Sequence, residues 1–167
     1  DARASGRIVD GRFVPSRYEE QTNTGERSNS ATMEYRRGVP QVKVYDPPQE
    51  ARSRDVDPAT QGGTLDPMTT IYALLRDLPQ DEVCTLNVFM FDGRRRSQVV
   101  SNGPARQGNT IDCTGEYRRI AGFSSREMAD RTVFPFQMRY ERNGAGRYSV
   151  ERFEFQTLLG KAIFRRR

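Results

Sequence analysis

Residues 83–93, Val83-Cys84-Thr85-Leu86-Asn87-Val88-Phe89-Met90-Phe91-Asp92-Gly93, alternate side chains at period two and end on a turn dipeptide. Successive side chains of a β-strand point to opposite faces. Cys84, Leu86, Val88 and Met90 then share one side, and Val83, Thr85, Asn87, Phe89 and Phe91 the other. Apolar groups on both faces make this read as a central strand. Asp92-Gly93 is a dipeptide that type I′ hairpin turns favour, and residues 94–100 read as the returning strand. Asn102-Gly103-Pro104 reads as the next turn, after which Ile111, Cys113, Gly115 and Tyr117 share one face of a further strand. The two cysteines therefore read as one staple across a sheet. Such a staple closes a loop of about 30 residues and stabilises the fold by roughly 3–4 kcal/mol in an oxidising compartment. Two buried free thiols, packed as small apolar groups, are the other reading of the same pattern.

Downstream, Phe134, Phe136, Met138 and Tyr140 alternate, and Asn143-Gly144-Ala145-Gly146 turns the chain. Tyr148 and Val150 begin a return strand whose face shifts to Phe153 and Phe155 through a bulge near Glu151-Arg152. Residues 157–164 read as a closing strand. Upstream, Asp10-Gly11 and Asn23-Thr24-Gly25 mark hairpins, with Pro15 closing the first. Met33, Tyr35, Val42, Val44 and Tyr45 form two runs joined by Arg37-Gly38-Val39-Pro40. Residues 49–63 combine prolines, charges and paired glycines without apolar periodicity, and read as an exposed loop and the most mobile segment. One helix follows over residues 66–78. Asp66 suits its N-cap, Pro67 its first turn, and Pro79 stops it, while Met68, Ile71, Tyr72, Leu74 and Leu75 form a broad apolar face. About eight to ten strands with one short helix predict a mainly β fold: a curved antiparallel sheet, a half-barrel or a β-barrel, in a single domain over residues 1–167.

Composition bounds the function. The chain of 167 residues has the size of one ordinary domain, and 35% hydrophobic against 29% charged residues suits a sheet with one solvated face. No run approaches the roughly 18 apolar residues of a membrane-spanning helix, and the opening residues lack the apolar core of a signal peptide, so the chain reads as cytosolic or already processed. There is no histidine and no C-x-x-C. Zinc and thiol-protease chemistry lose their ligands and bases, and neither a metal nor a cofactor is predicted. A net charge of +5 favours polyanions such as anionic head groups or acidic cell-wall polymers.

Three pieces carry a family resemblance: Gly63-Thr64-Leu65-Asp66-Pro67-Met68; Cys84 with Phe91-Asp92-Gly93-Arg94-Arg95-Arg96; and Cys113 with Glu116-Tyr117-Arg118-Arg119-Ile120-Ala121-Gly122-Phe123. Together, over residues 64–123 and more weakly over 6–148, the chain resembles a proteobacterial domain-of-unknown-function family of exported proteins, number thirty-one hundred and eight. The resemblance implies a periplasmic, β-rich protein with its two cysteines paired, and it supplies no activity. Members of that family carry a longer N-terminal part, so the resemblance also implies a processed or trimmed piece that lacks N-terminal strands.

Four arginines, Arg94, Arg96, Arg118 and Arg119, are candidates for binding an anion, because guanidinium forks match carboxylate and phosphate. Pairing with Asp92, Asp112 or Glu116 on a solvated face is the competing role. Those three carboxylates are also the acid and base candidates, but no histidine or second group completes a catalytic constellation, and the reading is non-enzymatic. Met68, Ile71, Tyr72 and Leu75 are candidates for an apolar-ligand face, with residues 49–63 as a lid; covering the core is their alternative role. The aromatic residues Phe134, Phe136, Tyr148, Phe153 and Phe155 fall at core-like positions, which argues against a nucleic-acid platform. The expectation is a periplasmic cell-envelope protein that binds an apolar or anionic component: a lipid, a lipoprotein or a cell-wall polymer. A structural scaffold or interaction module that meets another envelope protein is the alternative.

Overall fold

A computed structural model describes residues 1–157 and 160–166. The chain is mainly β and divides into two compact units that interleave along the sequence. The first comprises Asp1–Ile71, Phe89–Ser97 and Ile120–Ser124, and the second Tyr72–Val88, Gln98–Arg119 and Ser125–Arg167.

In the first unit, β1 (Ala2–Val9) and β2 (Arg12–Asn23) form a hairpin around Asp10-Gly11, whose φ values of 50° and 75° suit the type I′ turn that dipeptide favours. Pro15 does not close this hairpin. β2 runs through it, and a register shift between Ser5 and Gly6 accommodates the residue that lacks an N–H. β3 (Ser28–Arg36) pairs with β2, with β4 (Val39–Pro40) across the tight Arg37-Gly38 turn, and with β5 (Val44–Asp46). Tyr18, Met33, Tyr35 and Phe91 form the core of this unit, with Val56 and Met68 packed against it.

The helix α1 (Pro67–Leu75) starts where expected. Buried Asp66 accepts the Thr69 N–H at 2.8 Å and the Thr69 hydroxyl at 2.6 Å, which satisfies a backbone donor that has no partner inside the helix. It ends three residues before Leu78. The Leu78 N–H donates instead to the Tyr148 carbonyl at 2.9 Å and its carbonyl accepts in return, while Pro79 disfavours helical backbone in the residue before it.

The second unit carries most of a six-stranded antiparallel sheet: β6 (Asn87–Phe91), β7 (Arg96–Gln107), β8 (Thr110–Ala121), β9 (Val133–Arg142), β10 (Tyr148–Thr157) and β11 (Gly160–Arg165). Their spatial order is β11-β10-β9-β8-β7-β6. The first and last strands do not pair with each other among the described residues, so the sheet is curved and open, not a closed barrel. The predicted central strand is in fact an edge, and Leu65 adds a short parallel bridge to it. A second helix, α2 (Ser125–Asp130), joins β8 to β9. Of the expected closing strand, residues 158 and 159 lie outside the described residues.

Alternation places the core. Ile111, Cys113 and Gly115 of β8 and Phe134, Phe136, Met138 and Tyr140 of β9 are buried on one face. A Cβ on Gly115 would fall 2.2 Å from the Phe136 ring, so the missing side chain is the seat of that ring. The bulge expected near Glu151 is present as a register shift between Val150 and Arg152. Two turn readings change. Asn102-Gly103-Pro104 lies within β7, where Gly103 takes a φ of 63° and bends the strand without ending it. Asp92-Gly93 is not a two-residue type I′ turn, because the Asp92 side chain accepts the N–H groups of Arg94 and Arg95 at 2.9 and 2.7 Å and spreads the turn over four residues.

Cys84 and Cys113 form a disulfide with their Cα atoms 5.4 Å apart. Cys84 is not inside a strand. It precedes β6 with a φ of 63°, left-handed backbone that costs a non-glycine residue about 1–2 kcal/mol. The staple thus ties the segment after α1 to β8, and both cysteines sit in a core with Leu78, Val83, Met138, Tyr140 and Tyr148. The double variant Cys84→Ser, Cys113→Ser is expected to lose roughly 3 kcal/mol of unfolding free energy in urea titration. A loss below about 1 kcal/mol would mean that the staple adds little to packing that already holds.

Candidate functional site

The four candidate arginines are each engaged within their own unit. In the first unit, the Arg94 guanidinium donates to Asp55 at 2.9 Å, to the Tyr45 hydroxyl at 3.0 Å and to the Glu50 carbonyl at 3.0 Å, and it stacks 4.8 Å from the Tyr45 ring centroid. Val56 N–H donates back to the Arg94 carbonyl at 2.9 Å. Residues 49–63 are therefore tied at their middle to the turn before β7. Arg96 donates to Gln61 at 3.2 Å and lies 4.2 Å from the Phe89 ring centroid. In the second unit, Arg118 pairs with Glu116 at 2.7 Å on the exposed face. Arg119 turns inward, donating to the Glu127 and Arg131 carbonyls at 2.6 and 2.8 Å.

A buried cation holds the first unit's turn from below. The Lys43 ammonium donates to Glu20 and to the Asp92 carbonyl, both at 2.8 Å, between the rings of Tyr18 and Tyr45. Tyr18 donates to Glu20 at 2.6 Å. Burial pushes the Glu20 carboxyl up, but the hydrogen bonds from Lys43 and Tyr18 and the Lys43 charge outweigh it and hold the group below its ordinary value. Burial first, then the bond to Glu20, pushes the Tyr18 phenol up.

The candidate apolar residues of α1 separate. Met68 belongs to the first unit's core. Ile71, Tyr72 and Leu75 are 47%, 55% and 41% exposed, whereas Ala73 is buried and Leu74 packs against the second unit's core. The broad apolar face expected of the helix is thus carried inward by Met68, Ala73 and Leu74.

The second unit's sheet presents two unlike faces. On one, cross-strand rungs of polar side chains run over β8, β9 and β10: Asp112, Arg139 and Arg152; Thr114, Gln137 and Glu154. Asp112 accepts a two-pronged bond from Arg139 at 2.8 and 3.0 Å, and that bond holds its carboxyl below the usual range. Glu154 is paired with Arg152 and Lys161. A cleft of about 320 Å³ opens over this face between Asn102, Thr114, Glu116, Gln137, Glu154 and Lys161. Of the acid and base candidates, Asp112 and Glu116 each face an arginine, and Asp92 braces its turn.

The other face carries an aromatic row, of which Phe134, Phe153 and Phe155 were expected at core-like positions. Tyr117 meets Phe134 at a centroid distance of 5.9 Å, and Phe134, Phe155, Phe153 and Phe164 follow at 6.4, 6.2 and 6.3 Å. Phe134 is buried, Phe153 and Phe155 are half-buried, and Phe164 is 63% exposed, so the row leads from the core to the surface. At its buried end, the guanidinium carbons of Arg119 and Arg131 lie 4.9 and 5.4 Å from the Phe134 centroid. Arg131 follows α2, a helix without a clear periodic signal, and its role had no signature in the sequence. Among the described residues, no group of three or more His, Cys, Asp or Glu side chains comes together as a metal site, and no helix is long and apolar enough to cross a membrane.

The model of a family described as "Protein of unknown function (DUF3108)" matches residues 1–150. No curated protein and no solved structure matches the chain.

Two outcomes follow from the first unit's charges. Because Glu20 titrates lower when folded, its contribution to stability is complete above pH 4.5 and is lost as pH falls through the folded value. Glu20→Gln is expected to shrink the drop in unfolding free energy between neutral pH and about pH 3, measured in urea; an unchanged drop would detach this carboxylate from the acid response. Arg94→Ala is expected to speed hydrogen exchange at the Val56 amide far more than at Met138, and Arg94→Lys, which lacks the planar fork, to do nearly the same. Equal protection in all three proteins would mean that the loop holds its place without the arginine.

Proposed function

We propose that this chain, which belongs to the DUF3108 family, is a non-enzymatic periplasmic protein of the cell envelope that binds an amphipathic component. The observation that carries this reading is the aromatic row, which begins under two stacked arginines and ends on exposed Phe164. An apolar surface that continues from a core to the outside, with cations at one end, suits a ligand with an acyl chain and an anionic group. The buried disulfide supports an oxidising compartment, where such pairs form and persist. The candidate acids are paired with arginines or used in a turn, which supports binding over catalysis.

A second reading has its own observation. β1 is exposed along its whole length and, among the described residues, pairs only with β2, which suits the addition of a partner's strand and a scaffold role.

Native mass spectrometry of the protein exported to an oxidising compartment and purified gently, followed by organic extraction, tests the choice. A stoichiometric amphiphile whose occupancy falls in Phe164→Ala is the expected result. A clean unliganded mass, with an envelope protein crosslinked along β1, would replace the binding reading with the scaffold.

A further inference from the structure

We infer that Arg131 is the head-group-binding residue of the aromatic face, and that the amphiphile it holds carries a phosphate. This rests on the reading that the aromatic row takes an apolar chain. The two guanidiniums over Phe134 differ in what remains of them. Arg119 donates to the carbonyls of Glu127 and Arg131, and so knits β8 to α2. Arg131 makes no side-chain hydrogen bond and no ion pair among the described residues, and its guanidinium carbon lies 5.4 Å from the Phe134 ring centroid.

A guanidinium carries five N–H donors in a plane, and leaving them without protein partners is tolerated only where something else meets them. Arg131 is half-buried, so water meets them in part, and an anion would meet them better. Stacking on the ring fixes the plane of the fork before a ligand arrives and lowers the ordering cost of binding. A planar fork of this kind matches two oxygens of one phosphate. A lysine at the same place would offer only a point charge.

The row supplies the other half of the ligand's chemistry. From Phe134 the rings step outward through Phe155 and Phe153 to Phe164, with exposure rising along the way. A free phosphate would use Arg131 and leave these rings untouched. A neutral apolar chain would use the rings and leave the fork bare. A phospholipid-like amphiphile uses both, with its head group at α2 and its chain directed toward β11.

Isothermal titration with dodecyl phosphate, dodecyl maltoside and inorganic phosphate, each below any micelle concentration, separates these parts. The wild-type protein is expected to bind dodecyl phosphate about tenfold more tightly than dodecyl maltoside, the worth of a charge-assisted pair. Arg131→Ala is expected to abolish that preference while keeping the maltoside affinity, which also shows that the variant is folded. Phe164→Ala is expected to weaken both. A preference that survives in Arg131→Ala overturns the assignment of the head group but leaves the apolar reading in place. Inorganic phosphate binding as tightly as dodecyl phosphate overturns the lipid source. Failure of both amphiphiles to bind overturns the apolar reading itself, and the inference with it.

Discussion

The segment between α1 and β6 is held down at two points, and the second unit's core depends on both. Leu78 exchanges backbone hydrogen bonds with Tyr148 at 2.9 and 2.8 Å, and six residues later Cys84 is bonded to Cys113. Between and beside these points Leu78, Val83 and Leu86 cover the apolar side chains of β8 and β9. A strand face as apolar as Ile111, Met138 and Tyr140 needs such a cover, because a sheet with one open apolar face would associate with whatever it met. Tyr140 adds a third tie, donating its hydroxyl to the Leu74 carbonyl at 3.1 Å at the end of α1. Phe153 and Phe155 pack against the same core and are half-buried, and Phe164 is exposed.

Local chemistry was legible in the sequence at several turns and strands, though not at Asp92-Gly93, where bonds from the Arg94 and Arg95 N–H groups to the Asp92 side chain widen the turn. Asp10-Gly11 makes its turn because few other dipeptides accept two positive φ values. Phe134 to Tyr140 alternate because both faces of β9 meet unlike surroundings. The Glu151 bulge was readable from the shift of aromatic positions. What was not legible depends on partners distant in sequence. Nothing in Asn102-Gly103-Pro104 distinguishes a bend from a turn until β8 is alongside. Cys84 resembles a strand residue until its left-handed backbone is known. The sequence pointed to the pairing of Cys84 with Cys113, and it offered Arg119 as an anion-binding candidate, whereas that guanidinium donates to the Glu127 and Arg131 carbonyls. It did not single out Arg131, which just precedes β9 and lies over the Phe134 ring three residues further on. The aromatic residues were visible, but whether a ring is core or surface is set by what covers it.

Five arginines serve this protein as planar groups over aromatic rings. All but two of the 27 basic residues are arginine. Arg94 lies over Tyr45, Arg95 over Phe123, Arg96 over Phe89, and Arg119 and Arg131 over Phe134. A guanidinium covers apolar ring surface while keeping its donors in plane for carbonyls and carboxylates, which an ammonium does not. In a chain with few hydrophobic residues, these stacks extend the apolar packing with side chains that count as charge. The positive balance is therefore a poor guide to free surface charge here: much of it sits over rings or bridges to acids.

The two lysines have opposite fates, since Lys43 is sealed beneath a turn while the Lys161 side chain is 52% exposed at the rim of the polar cleft. Of the two side-chain amines, only that of Lys161 is consequently open to solvent. An acylating dye, a biotin ester or a lysine-directed crosslinker reaches the lysine side chains at one place, on the face opposite the aromatic row. A label on that side chain reports on the cleft and leaves the rings unobstructed.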